Sequence, residues 1–483
     1  MLATALIVLP IAAALVVAIL PLPKESTAGL AFLAALMEVA LWIVTAARYD
    51  YDAGGLQLDQ SHEWVKSLGI SYSVGFYGFS IWLVGVSVVV FAAAIGYAMW
   101  VGRDRSRAYH ALMLFLLGAV VATFVSQDLL LFYVSFEAML IPLYVLVGVW
   151  GGERRQAATV TFVIYTMAGS LLMLASVVAY GVTQGTFSLT AGGTSDNTWI
   201  FLGFAIAFAV KAPLFPFHGW LPLAYRQAPV EVAAVLSAVI SKTAVYGFLR
   251  IALPKFPDPA DDLSGLILVL ASAGLIYGSV LAFRSPDLRG VIAYSSMAQM
   301  GLITLGIFSF DSLGVDGAVL QSVAHGLISA SMFLLVGMVE RRCGTGELSE
   351  LGGMARGRPT LATIVLVAGM IALAVPGSAT FAGEFLIMAG VYAQGWGYSV
   401  VVALGVVLAA MYTLRVISAI LHEKRGRAVE EGALDLRLGE LALVLPLLLV
   451  ALGLSVWPAL VSESSFSGES AAGWSAYPDG GGG

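Results

Sequence analysis

Long apolar runs alternate with short polar connections from Leu2 to Leu460. A helix needs about 20 mostly apolar residues to cross the hydrocarbon core of a bilayer. Runs of that kind are placed at 2–20, 28–47, 73–100, 108–126, 128–149, 157–182, 198–217, 228–251, 264–283, 290–309, 316–339, 360–390, 395–421 and 439–460. The pattern predicts an all-α integral membrane protein of about fourteen transmembrane helices. The turn at Gln127 and Asp128 is very short. The longest polar connections are 48–72, 183–197, 340–359 and 422–438, too short for a soluble domain. The last two are the expected docking surfaces for neighbouring chains. Residues 2–20 read as a retained first span, because the first lysine, Lys24, follows the apolar run instead of preceding it as in a signal peptide.

Composition agrees with lipid as the solvent. Of 483 residues 59% are hydrophobic and 11% charged, against roughly 25% charged in soluble proteins. The net charge of −6 comes without a basic patch, so no nucleic-acid partner is implied. The single cysteine, Cys343, excludes a disulfide and a cysteine-ligated iron–sulfur cluster within the chain. The five histidines lack metal-ligand spacing.

The basic residues test the span map, since they collect on the cytoplasmic side of short loops. One set of connections holds Lys24, Arg103, Arg105, Arg107, Arg154, Arg155, Arg226, Arg284, Arg289, Arg341, Arg342, Arg356, Arg358, Lys424, Arg425, Arg427 and Arg437. The alternate set holds only Arg48, Lys66, Arg250 and Lys255. Lys211, Lys242 and Arg415 fall within spans. Both termini are therefore expected outside, together with a Gly-rich tail at 479–483 that is expected to be disordered.

An ionisable residue at mid-bilayer costs about 2.5–3.5 kcal/mol on insertion scales and needs a partner or a wet cavity. Glu137, Lys211, Lys242 and Glu384 stand at such depth, with His325 as a fifth polar group. Acids and bases in series suit a proton relay, because burial disfavours a charged lysine and a nearby carboxylate favours it. The alternative is a static Glu137–Lys211 ion pair that fixes helix packing. Pro213 follows Lys211 closely, with Pro216 beyond it, so the helix should break there and free carbonyls that neighbours or water must satisfy. Pro376 and Gly377 break the twelfth span ahead of Glu384. Two broken spans, each with a charge and five spans apart, suggest an internal repeat of the kind seen in transporters. Glu231 lies eleven residues before Lys242, on nearly the same helical face; it either feeds protons to Lys242 or is a water-exposed end charge. Asp128 and Arg415 read as interfacial.

Seven strings in order carry a resemblance: QDLLLFYVSFEAMLIPLYVLVGVWGGERRQAA, YTMAGSLLML, VKAPLFPFHGWLP, SKTAVYGFLR, RGVIAYSSMAQMG, HGLISASMFLLVG and PGSATFAGEF. Over about 120–420 the chain resembles the subunit M (chain 4) family of NADH-quinone oxidoreductase, the antiporter-like membrane subunits of respiratory complex I. The resemblance implies two inverted five-helix repeats, about spans 4–8 and 9–13, with helices 7 and 12 broken. It implies segments 1–119 of N-terminal helices, a translocating core at 120–420, and a last helix with an outside tail at 421–483. Glu137 and Lys211 would form the controlling pair, Lys242 and His325 would lie on the central axis, and Glu384 would be the terminal acid. No cofactor would bind this chain. Flavin, iron–sulfur clusters and quinone would belong to partner subunits, with L- and N-type neighbours in the membrane arm of a bacterial plasma membrane. The chain would be part of an oxidoreductase without redox chemistry of its own. Glu384, where the sibling subunits usually carry lysine, favours subunit M. Departures from the family pattern fall at Leu223, Tyr225 and Gln227, replacing an acid, a histidine and an acid, at Gln299, where histidine is usual, and at Tyr77, where aspartate is usual. They put the inner proton inlet in question. Two other readings stand beside this one: a subunit of a multisubunit cation/proton antiporter, and a non-pumping scaffold subunit of a complex I-like assembly.

Overall fold

Apolar runs with no water to bond their peptide groups must satisfy those groups internally, and the helix does so within one segment. The computed structural model describes residues 1–422, 424–430, 432 and 434–466; the expected tail at 479–483 lies outside them. Among the described residues twelve helices are long and apolar enough to cross a membrane. They are α1 (Leu2–Ile19), α2 (Lys24–Arg48), α3 (Gly78–Val101), α4 (Ser106–Val125), α5 (Leu129–Trp150), α6 (Arg155–Gln184), α9 (Val230–Lys255), α10 (Ser264–Arg284), α11 (Leu288–Ile307), α12 (Ser312–Cys343), α15 (Trp396–Leu421) and α16 (Leu438–Val456). The chain is a multi-pass membrane protein.

The seventh and twelfth expected spans are not continuous. Thr198–Lys211 (α7) stops at the lysine, and Leu221–Gln227 (α8) resumes beyond Pro213 and Pro216. Pro359–Ala372 (α13) and Ala379–Gly390 (α14) flank the turn at Pro376 and Gly377, where Gly377 has φ +95°. At each break a side chain from beyond it bonds a carbonyl of the helix end. The Trp220 indole donates to the Val210 carbonyl at 2.9 Å, and the Thr380 hydroxyl donates to the Ile371 carbonyl at 2.5 Å.

The connection 48–72 departs from the all-α expectation. Gln57–Val65 (β1) and Ile70–Phe76 (β2) pair as an antiparallel hairpin. The strand takes the first residues of the expected span 73–100, so α3 starts only at Gly78. The polar run in QLDQSHEWV reads as a loop by apolar content, yet it forms a largely exposed strand.

The two ends of the bundle differ. At one end the basic connections meet each other. Lys24 and Ser106 are joined by a hydrogen bond, Gly152 N–H donates to the Gln227 carbonyl, Arg226 pairs with Asp287, Arg289 with Glu340, and Arg342 with Glu440. Connections 340–359 and 422–438 bind one another here. Arg342 also donates to the carbonyls of Leu434 and Asp435, and Ala428 N–H donates to the Glu350 carbonyl. The opposite end carries the hairpin and the 185–197 connection, tied to the turn before α5. The grouping of the basic connections is the one the alternating charge pattern requires.

Two turns at opposite ends share a design. Asp128 caps α5 by accepting from Leu130 and Leu131 N–H, and the strand-like bridge between Asp128 and Ser188 docks the loop after α6. Asp287 caps α11 by accepting from Gly290 N–H, and its bridge to Glu347 docks the loop after α12. Both aspartates stand in the local pattern Ser-x-Asp-Leu. Asp128 also accepts from Ser71 N–H at 3.1 Å, which ties the hairpin down. Asp128→Ala should therefore lower stability by about 0.5–2 kcal/mol, the worth of an N-cap, with Asp128→Asn recovering most of it. Thermal unfolding of the purified protein in mild detergent checks this, and equal melting of wild type and the alanine variant would remove the capping role.

Candidate functional site

Helix α9 is wholly interior, so every polar side chain on it must find a protein partner. It contains two π-helical turns, Leu236–Ile240 and Phe248–Ala252. Such wide turns are common at functional sites. Lys242 follows the first. Its ammonium donates to the Ser237 carbonyl at 2.8 Å and to the Ser241 hydroxyl at 3.3 Å, and it lies 2.9 Å from His325 Nδ1 on α12. No carboxylate stands within ion-pair distance of it among the described residues. Beside it the Ser237 hydroxyl meets Ser296 of α11 at 2.7 Å and Ser329 of α12 at 2.5 Å. Three helices thus meet in a knot of hydroxyls next to the lysine.

His325 lines a cavity of about 50 Å³ that also touches Ser296, Ser329, Gln299, Gln321, Thr380 and Tyr412. A water needs about 10–15 Å³ of such space and two to four polar partners, so this one has room for a few. Glu384, buried on α14, accepts from the Gln299 amide at 2.9 Å, and Gln299 accepts from the Gln321 amide at 2.7 Å. Gln321 and His325 are one turn apart on α12. The structure therefore brings Lys242, His325 and Glu384 into one polar line, with the two glutamines and the cavity between His325 and Glu384.

Glu137 and Lys211 stand differently. Lys211 ends α7, buried, with its ammonium 4.4 Å from the centre of the Phe136 ring. Glu137 is the next residue and is half-buried, but the two charges form no ion pair within 4.0 Å among the described residues. The static pair does not exist in this arrangement. Proline at 213 gives the physical setting: the lysine sits at a helix end, where the ring of Phe136 supplies a cation–π contact in place of the carboxylate.

Glu231 is not a water-exposed end charge. It is fully buried and locked. Arg103 donates to both of its oxygens at 2.6 and 2.7 Å, and the Tyr109 hydroxyl donates at 2.6 Å. It meets the α3–α4 connection, whereas Lys242 meets α12; the π-helical turn between them changes the phase that an uninterrupted α-helix would give. Above Arg103 opens a vestibule of about 730 Å³ at the basic end, lined among others by Gln227, Asp287, Arg289, Glu340 and Arg341. The residues that depart from the family pattern have structural work there. Gln227 accepts from Arg154 N–H at 2.8 Å and fixes the 151–154 turn. Tyr225 is fully buried against Phe333, with ring centres 5.6 Å apart. Leu223 is half-buried on the same short helix. Tyr77, just ahead of α3, lies under the Arg250 guanidinium at 4.7 Å. Arg250 is itself no loop residue: it is buried on α9 and donates twice to Gln127. Arg415 stays near the basic end and donates to the carbonyls of Phe283 and Ser285.

Sequence reasoning missed Glu38. It is fully buried on α2, and neither carboxyl oxygen has a partner among the described residues. A charge inside 28–47 was signal enough to find it. Gln321 and the serine knot carried no such signal, because neutral polar residues are ordinary in membrane helices.

A helical bundle that seals bases, an imidazole and carboxyls inside the bilayer, with water-sized space beside them, is of the class that moves charge through membranes. The model for the NADH:quinone oxidoreductase/Mrp antiporter transmembrane family matches residues 126–411. Subunit M of NADH-quinone oxidoreductase from Rhodobacter capsulatus is 33% identical over 94% of this chain and 93% of its own. NAD(P)H-quinone oxidoreductase chain 4 from a Nostoc species is 32% identical over 95% and 89%. A chain of respiratory complex I from Thermus thermophilus with bound NADH superposes with a TM-score of 0.89 at 30% identity, covering 97% of this chain and 98% of that one. A chain of the Mrp complex from a Dietzia species shares the fold, with a TM-score of 0.86 at 21% identity over 97% of both. The chain belongs to the NADH:quinone oxidoreductase/Mrp antiporter membrane family, and within it to the subunit M (chain 4) line.

Breaking a buried pair from one side leaves an uncompensated charge and costs about 3–5 kcal/mol, whereas replacing both partners by apolar groups is often neutral. Glu231→Ala should therefore destabilise the protein strongly, and Arg103→Leu combined with Glu231→Leu should recover most of the loss. Melting temperatures of the three proteins in detergent provide the check; a double variant as unstable as the single one would contradict the pair.

Proposed function

We propose that this chain is a proton-translocating membrane subunit of a respiratory NADH-quinone oxidoreductase in a bacterial plasma membrane. Electron transfer to quinone takes place in partner subunits that hold flavin and iron–sulfur clusters, and L- and N-type antiporter-like subunits are its neighbours in the membrane. The basic end faces the cytoplasm, so both termini lie outside. The translocating core spans about 120–420, and spans 4–8 and 9–13 are two inverted five-helix repeats. The matched turns at Asp128 and Asp287, at opposite ends, and the matched breaks after Val210 and Ile371 support the repeat.

The relay consists of Glu137, Lys211, Lys242, His325 and Glu384. The observation that carries this reading is the contact of Lys242 with His325 at 2.9 Å, with no carboxylate within ion-pair distance of the lysine among the described residues. Two bases that close do not both hold a charge in a low-dielectric site. At most one of them is charged, and a proton on either can be passed to the other. Arg103, by contrast, sits against a carboxylate in a bidentate pair. Movement of Glu137 toward or away from Lys211 would load or unload that lysine, because the two are near neighbours without being bonded. Pro213 and Pro376 leave each broken helix with ends that can adjust.

Lys211→Met, Lys242→Met and Glu137→Ala, each in the complete complex in native membranes, should lower the number of protons moved per electron while the complex still assembles. A lost proton-transfer group is worth about 10²–10⁴ in the rate of its step, so the path through this chain should close. Quinone reduction and proton uptake measured together provide the readout. Normal stoichiometry in all three would sink the relay. Copurification without flavin or iron–sulfur centres would move the chain to a cation/proton antiporter instead.

A further inference from the structure

Glu384 is 3% exposed, and its hydrogen bonds are lopsided. One oxygen accepts from the Gln299 amide; the other has no partner among the described residues. Gln299 in turn accepts from Gln321, and the Gln321 amide oxygen, also buried, has no partner. All the N–H donation in this chain of groups points toward the carboxylate, which is the arrangement an ionised Glu384 requires, since a carboxylate only accepts.

A protonated Glu384 has a different need. Its O–H must donate, and a buried donor left without an acceptor costs about 1–3 kcal/mol. The acceptor already bonded to it is Gln299, provided that its amide turns over; the other titratable group facing the site is Tyr412, whose hydroxyl hydrogen-bonds Gln299. The Gln299 NH₂ then faces Gln321, whose unused amide oxygen becomes the acceptor once that amide turns as well. We infer that Gln299 and Gln321 form a two-amide switch that reverses its hydrogen-bond direction with the proton on Glu384. The inference rests on the relay reading above. Amides do not take up the proton, which enters and leaves Glu384 through groups of the adjoining cavity; the pair changes orientation only. Gln321 lies one turn from His325, so the state of the terminal acid is registered beside the central base. Gln299 is thus a positioning residue, and glutamine does by rotation what a titratable residue there would do by exchanging a proton.

The test uses the complete complex in liposomes, with quinone reduction and proton uptake followed together. Gln299→Met keeps the size of the side chain and removes both amide functions. Gln321→Met does the same one step further on. Both should assemble and reduce quinone, with proton delivery to Glu384 slowed about tenfold or more, the rate equivalent of one hydrogen bond to a charged group. Gln299→His, which donates and accepts, should restore the ratio of protons to electrons. A purely packing role predicts the reverse order, with methionine tolerated and histidine not, and would overturn the switch. Glu384→Gln is the control for the reading beneath it. If that variant pumps normally, the relay assignment falls; if it fails while both methionine variants pump normally, only the switch does.

Discussion

Everything in this molecule follows from burying peptide groups and charges where no water can reach them. In the bilayer core an unpaired carbonyl costs several kcal/mol, so a helix may break there only if something replaces its lost bonds. The two breaks obey that rule by the same device. Trp220 returns to the Val210 carbonyl and Thr380 to the Ile371 carbonyl, each reaching back across the gap that proline opened. Those side chains turn what would be a defect into a fixed helix end, and the ends position the chemistry. Lys211 is the last residue of its half-helix, and Glu384 lies on the half that begins after the second break.

The same constraint separates the charges of the basic end from those of the interior. Arg103 with Glu231, Arg226 with Asp287, Arg289 with Glu340, and Arg342 with Glu440 are close pairs gathered at the basic end. Such pairs add little net stability against apolar replacements, but removing one member is costly. They hold the connections in one arrangement. The interior groups share none of this symmetry. Lys242 faces a histidine, Lys211 faces a ring, and Glu384 faces an amide. Each has a partner that accommodates its charge without neutralising it.

Much of this was legible in the sequence, and the limits are physical. The multi-pass helical architecture came from apolar length, because lipid imposes it. The breaks came from Pro213 and Pro376, because proline removes a donor whatever the tertiary context. The line of titratable residues came from the rarity of charges at depth. What escaped was anything carried by neutral polar groups or by helix phase. The hairpin at 57–76 has too few apolar residues to announce itself. The π-helical turns in α9 have no sequence signature that period-counting reads, and neither has the lock that Arg103 and Tyr109 place on Glu231. The Glu137–Lys211 distance depends on where a half-helix ends in space, which residue spacing does not give.

Gln299 illustrates the last point from the other side. Read along the chain, glutamine in place of a titratable residue looks like a loss, and with Leu223, Tyr225 and Gln227 it raised the question whether protons could pass at all. In the fold those substitutions divide. Gln227 pins a turn at the basic end, and Tyr225 packs on Phe333 with its hydroxyl bonded to Ser237. Gln299 lies between His325 and Glu384, bonded to Glu384 on one side and to Gln321 on the other. A position that touches a titrating group is not silenced by losing its own charge. It keeps the power to favour one protonation state over the other through the direction of its hydrogen bond, and in a site with so few polar partners that direction carries much of the difference in energy between the two states.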